Sequence, residues 1–169
     1  MAFFIYFSSM NLSAGKILVT TSKMDDPKFK DSIVFIAEHN EAGAIGLVIN
    51  KLFERPLNAL AEFSQCPDFP LYAGGPVDRE HLFFIHRRPD LIPGGTPASN
   101  GIYYGGDFAQ AIANINQHSL DEAGIKICIG YCGWDKGELE AEIEEGSWRL
   151  EECSPDIIFV KDPALFLER

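Results

Sequence analysis

Apolar residues fall in short, dense runs separated by Gly, Pro, Asn and Asp, a pattern that predicts many short strands and few helices. Lys16 to Thr21 is a β-type run, and Asp25-Asp26-Pro27 after it places proline where its fixed φ suits a turn. Ser32 to His39 is rich in Ile, Val and Phe without alternation, as expected of a strand covered on both faces. Asn40-Glu41-Ala42-Gly43 holds residues that tolerate positive φ, and Ala44 to Asn50 is again branched and apolar, so the two runs read as a hairpin. Gly46, inside the returning run, predicts a bulge or the close approach of another backbone.

Pro56 suits the first turn of a short helix with Leu57, Leu60 and Ala61 on one side. Leu71 to Ala73 and His81 to His86 read as strands on either side of Gly74-Gly75-Pro76-Val77, and Pro89 to Asn100 as a loop. Gly101 to Gly105 is another short strand. Asp107 then caps a helix in which Phe108, Ala111, Ile112 and Ile115 recur at i, i+3, i+4 and i+7. Ile125 to Tyr131 reads as a buried strand, and Asp135-Lys136-Gly137-Glu138 as a capping box that starts a helix over 135 to 145, stopped by Gly146. Ser147 to Glu151 is a strand, Asp156 to Val160 a short helix or strand, and Asp162 to Arg169 the opening turn of a helix cut short. Strands outnumber helices without regular alternation, which predicts an α+β domain over 10 to 169 rather than a doubly wound parallel sheet.

Composition narrows the function classes. A chain of 169 residues with 46% apolar and 23% charged residues has the profile of one globular domain. Its net charge of -11 is concentrated: ten acidic and three basic residues between Asp121 and Glu152 hold -7 of it, mostly on a solvated helix face. Such a surface repels phosphate, and His86-Arg87-Arg88 is too small a basic patch to read nucleic acid, so direct nucleic-acid binding is not expected. Four cysteines without a paired CxxC spacing fit a reducing, cytoplasmic setting; Cys128 and Cys132 share a face of a regular strand yet lie beyond disulfide reach. The apolar stretch from Ala2 to Phe7 is too short to span a bilayer and lacks a basic flank. Met1 to Ser9 therefore reads as an extension ahead of a start at Met10, either frayed or an added edge strand.

Four segments, in their order and spacing, resemble the AlgH/YqgE family. They are Glu38-His39-Asn40 with Gly43 to Asn50, Gly74-Gly75-Pro76-Val77, Phe84-Ile85-His86, and Gly130-Tyr131-Cys132-Gly133-Trp134 leading into Gly137 to Glu142. The resemblance implies an α+β fold: a bifurcated, mostly antiparallel sheet curled into a pseudo-barrel with helices packed outside. It carries the label of transcriptional regulator for some members, without a DNA-reading motif to transfer. Cys132 stands where a small residue such as Ala or Ser is usual, and Glu138 where Gln is usual.

The candidate chemistry is sparse. His39, His81, His86 and His118 have no metal-ligand spacing, and neither a metal nor a cofactor is expected. Gly74 and Gly75 could present amides to an anion, but Pro76 removes a donor and a strand follows, so a sharp reversal is the preferred reading. Tyr131, Gly133 and Trp134 lead into a helix start, where Asp135 is expected to occupy the amides. Cys132, preceding that helix, is the candidate reactive thiol. The candidate ligand-binding set is thus His39, Asn50, Gly74, Gly75, Tyr131, Gly133 and Trp134. Two functions follow: a non-enzymatic binding or regulatory module acting through a protein partner, or a small-anion or metabolite binder near the glycine turns with hydrolytic chemistry.

Overall fold

The computed structural model describes residues 11–160 and 162–168, so the expectation for Met1 to Ser9 lies outside the described residues. Nine strands build one curled sheet: β1 (Ile17–Thr20), β2 (Ile33–Asn40), β3 (Gly43–Val48), β4 (Tyr72–Ala73), β5 (Val77–His86), β6 (Thr96–Ser99), β7 (Ile102–Tyr104), β8 (Ile125–Asp135) and β9 (Trp148–Glu151). Their order is β6-β7-β5-β8-β3-β2-β1-β9, antiparallel throughout, with β4 alongside β8 as the parallel exception. The class is α+β as expected. The end strands β6 and β9 do not pair, so the sheet curls without closing into a barrel.

The fork lies in β8. Ile125 to Ile129 pair with Leu82 to His86 of β5, whereas Cys132 to Asp135 pair with Gly43 to Gly46 of β3. Gly130, with φ of 75°, marks the break in the β5 register between Leu82↔Ile129 and Val77↔Tyr131, and a Cβ there would stand 2.3 Å from the Gly75 carbonyl oxygen. Side-chain parity flips at that point. Ile125, Ile127 and Ile129 pack on one side with Phe84, while Cys128 and Tyr131 pack on the other. Cys132 and Trp134 then join a third cluster with Trp148. Residues four apart on a regular strand share a face, but the turn at Gly130 puts Cys128 and Cys132 in different clusters, which corrects the expectation of a common one.

Both faces of the β1-β2-β3 branch are covered. On one side Val19, Phe35 and Leu47 pack with α3 (Pro155–Phe159) and a 3-10 segment at Pro163–Glu168; on the other, Leu18, Val34 and Ile36 pack with Trp148 and Leu139 of α2 (Glu138–Glu144). This double coverage accounts for the unalternating apolar run in β2. The other branch is covered by α1 (Phe108–Asn116), whose Ala111 and Ile115 are buried against Phe84 and Ile127. Asp107 accepts a hydrogen bond from the Gln110 amide at 3.1 Å and so caps α1 as the sequence predicts.

Three segments differ from expectation. The helix at Pro56 is instead two 3-10 turns, Leu57–Ala59 and Ala61–Phe63, split by Leu60 in extended conformation; the spacing of Leu57 and Leu60 suits a three-residue period equally. Helix α2 begins at Glu138, three residues late, because pairing with β3 holds the chain extended through Asp135. Only the reciprocal half of the capping box forms there, the Asp135 amide donating to Glu138 Oε1 at 2.6 Å. Finally, the Pro89 to Asn100 loop contains β6, an edge strand, a position that tolerates the missing donor of Pro97.

Candidate functional site

The hairpin β2-β3 and the last residues of β8 enclose an open hollow of roughly 390 Å³, lined by Glu38, Asn40, Ile45, Tyr131, Gly133 and Asp135 among others. Cross-strand pairing sets its floor: Gly43 faces Asp135, Ala44 faces Trp134 and Ile45 faces Gly133. Gly43 is required there, since its φ is 138° and a Cβ would fall 2.0 Å from the Trp134 carbonyl oxygen. The Tyr131 ring is held edge-on by Phe83 at 5.1 Å between centroids. Tyr104 belongs to the same buried neighbourhood; burial, then the charge of Glu38, pushes its phenol up to about 12. Glu38 and Asp135 make no ion pair with any described residue, so the hollow presents negative charge beside an aromatic wall.

Gly75 belongs to a different hollow. It lines a space of roughly 410 Å³ with Lys28, Lys51, Arg79, Phe29 and Val48, and no carboxylate takes part in that lining. Arg79 holds its guanidinium 5.8 Å from the centre of the Phe53 ring, and Lys51 donates to the Lys30 carbonyl at 2.5 Å. Gly74 is structural: its amide donates to Ile129, its carbonyl accepts from the Val48 amide, each at 2.9 Å, and a Cβ would meet the Gly130 oxygen at 2.4 Å. The two glycines thus join the forked sheet, as the architectural reading expects, while Gly75 also borders a cationic space.

Of the remaining candidates, Trp134 also lines the acidic hollow, whereas His39, Asn50 and Cys132 line neither. His39 points to the opposite face of β2, with Nε2 3.0 Å from Glu140 Oε2. Burial works to raise the Glu140 carboxyl, but the His39 bond outweighs it and leaves the group below its ordinary value. Asn50 clamps the start of β2, accepting from the Ile33 amide and donating to the Asp31 carbonyl, each at 2.9 Å. The Trp134 indole is buried and donates to Glu142 Oε1 at 3.0 Å. Cys132 is buried within β8, not at a helix start, and burial pushes its thiol up to about 12. Asp135 supplies no side-chain cap to α2, contrary to expectation, because it is still part of β8. Among the described residues no three His, Cys, Asp or Glu side chains gather as a metal site.

Comparison with known proteins agrees with the forked sheet. Residues 17–169 match a family model described as AlgH-like. The chain belongs to the AlgH-like family. It is 37% identical to a UPF0301 protein of Chlorobium phaeobacteroides over 149 residues, covering 88% of this chain and 79% of that protein. A UPF0301 protein of Parabacteroides distasonis is 36% identical over 151 residues, covering 88% and 76%. The solution structure of the AlgH protein from Pseudomonas aeruginosa superposes with a TM-score of 0.73 at 27% identity, covering 91% of this chain and 84% of that one. A crystal structure from Corynebacterium diphtheriae shares the fold, with a TM-score of 0.72 at 22% identity over 88% and 80% of the two chains.

Within this AlgH-like chain, the sequence points to Gly75, Tyr131, Gly133 and Trp134 but passes over Glu38, Lys28, Lys51 and Arg79 as site residues. Glu38 lies inside the family-like segment Glu38-His39-Asn40. The three cations come from separate segments, and only the fold brings them together.

Proposed function

We propose that this chain is a non-enzymatic binding module whose acidic, aromatic hollow receives a lysine or arginine side chain of a protein partner. The carrying observation is the pairing of Glu38 and Asp135, free of ion pairs among the described residues, with Tyr131 in one open space. A carboxylate answers the partner's charge, and the tyrosine face adds a cation–π contact of about 0.5–2 kcal/mol. The burial of the thiols, and the engagement of His39, His81 and His86 in separate contacts, support binding over catalysis. A regulatory role then runs through a protein contact in the cytoplasm, since an acidic chain gains nothing from the DNA backbone.

Titration with an arginine-rich peptide, followed by amide NMR, tests this reading. Saturable shifts at Tyr131, Gly133 and Asp135, absent with a glutamate-rich peptide and lost in Glu38→Gln, are expected. Equal responses to both peptides would end it.

The cationic hollow favours a second reading, an anion with an apolar body held by Lys28, Lys51 and Arg79 between Phe29 and Val48. At 100 times its Kd such a ligand raises stability by about 2.7 kcal/mol. A thermal-shift series of aromatic carboxylates and phosphates, repeated on Arg79→Gln, separates the two readings, because that substitution leaves the acidic hollow intact.

A further inference from the structure

Lys126 stands alone in an apolar strand segment, between Ile125 and Ile127, and its residue exposure is only 6%. Its Nζ donates to the Ile49 carbonyl at 3.1 Å and lies 4.5 Å from the centre of the Tyr72 ring. An ammonium carries three N–H donors and needs a counter-ion when buried. No carboxylate oxygen of a described residue reaches it within ion-pair distance. It nevertheless borders a hollow of roughly 380 Å³, separate from both spaces described above. Leu52, Ile158, Phe159, Val160 and Pro163 form an apolar part of its wall, and two carboxylates, Glu122 and Asp162, stand with Asn50 and Tyr72 among the other lining residues.

We propose that Lys126 is a carbonyl-capturing amine, which condenses with a small neutral aldehyde or ketone entering this hollow. The Nζ lone pair adds to the carbonyl carbon, the displaced π pair moves to oxygen, and one proton passes from nitrogen to that oxygen to give a neutral carbinolamine. That oxygen leaves as water with a proton lost from nitrogen, and the imine forms without oxidant or reductant. Glu122 and Asp162 are the acid–base groups in reach of the hollow; their negative charge also disfavours 2-oxo acids against neutral carbonyl compounds.

Electrostatics agree with the geometry. Burial lowers the Lys126 ammonium to about 8, against opposing effects of Cys128, Asp162, Glu122 and Cys153. Those two thiols are themselves pushed up, to about 12 and about 11, and stay neutral at pH 7, so they neither pair with the amine nor compete as nucleophiles. A buried lysine with a depressed pKa is the ordinary way in which proteins make a nucleophilic amine near neutrality.

The test uses the wild-type chain, butanal and sodium cyanoborohydride, with alkylation at each lysine followed by peptide mass spectrometry. At pH 7 Lys126 is expected to react about tenfold faster than the exposed Lys28 and Lys136, the larger neutral fraction outweighing poorer access. Its rate should level off above pH 8 while theirs keep climbing, and glyoxylate should react more slowly than butanal at Lys126 alone. Val160→Trp, which narrows the hollow without touching the lysine, should slow Lys126 and spare Lys28. Alkylation of Lys126 at or below the exposed rate, or only after denaturation, would overturn the proposal and leave the amine as a strut beneath Ile49. Either outcome is independent of the peptide titration, which reads Glu38 and Tyr131.

Discussion

Trp134 and Trp148 donate their indole N–H groups to one carboxylate oxygen, Oε1 of Glu142, at 3.0 and 2.9 Å, and meet edge to face with centroids 6.3 Å apart. The arrangement ties the end of β8 and the start of β9 to α2. Glu142→Leu would strand two buried donors and should cost about 2–6 kcal/mol, since each unmet buried donor costs about 1–3 kcal/mol. Glu142→Gln keeps an acceptor and should cost less than half as much. Urea denaturation followed by tryptophan fluorescence measures both, and equal losses would show that the carboxylate does not bridge the indoles.

Alanine at Gly75 and at Gly137 should behave differently. At Gly75 a Cβ would meet the Tyr131 carbonyl carbon at 2.2 Å, and neither backbone can yield without opening the fork. Gly137 has φ of 83° but no atom within 4 Å of a built Cβ, so the cost is conformational only. We expect Gly75→Ala to lose about 3 kcal/mol or more and Gly137→Ala about 1 kcal/mol, values in the range of steric overpacking and of left-handed backbone strain. Similar midpoints of chemical denaturation for the two variants would contradict this.

His86 accepts from the Arg88 amide through Nδ1 and donates through Nε2 to the Gly105 carbonyl, each at 3.1 Å, an arrangement that requires the neutral ring. Burial lowers its pKa from 6.5, outweighing the Gly105 bond and the charge of Asp90. The unfolded chain therefore takes up the proton first as pH falls, and stability present above pH 6.5 is lost between 6.5 and the lower folded value. Between pH 7.5 and 5 the melting temperature of the wild type should fall more steeply than that of His86→Gln, which retains a donor. Parallel curves would mean that protonation of His86 costs nothing.

Cys132, at 1% exposure and with its thiol raised to about 12, should resist iodoacetamide in the native chain at pH 7 and react fully in denaturant. Peptide-level labelling reads it directly. Rapid native labelling would restore the reactive-thiol expectation.

Local signals carried much of the fold. The cap at Asp107, the repeat through Ile115 and the hairpin through Gly43 all depend on neighbours in sequence, and all stand where the pattern puts them. The parity flip at Gly130 was not legible, because a glycine in an apolar run does not say whether it bends, bulges or merely makes room. The start of α2 was misplaced for a related reason: pairing with β3, some ninety residues away in sequence, outweighs a capping pattern. The candidate site was half legible. Tyr131, Gly133 and Trp134 sit in a motif, but the charges that give each hollow its sign are scattered, and their convergence is a property of the curl.

The shared strand also bears on how the chain is made. The contact of Gly46 with Cys132 closes a long loop, and pairings of that span are slow to form because the entropy of closure is lost before the contacts repay it. During synthesis β3 emerges well before β8, so the edge it later offers to Gly133 and Trp134 stays open to any other extended peptide. A chaperone holding that edge would raise the yield of folded chains, and translation slowed before Ile125 would lower it.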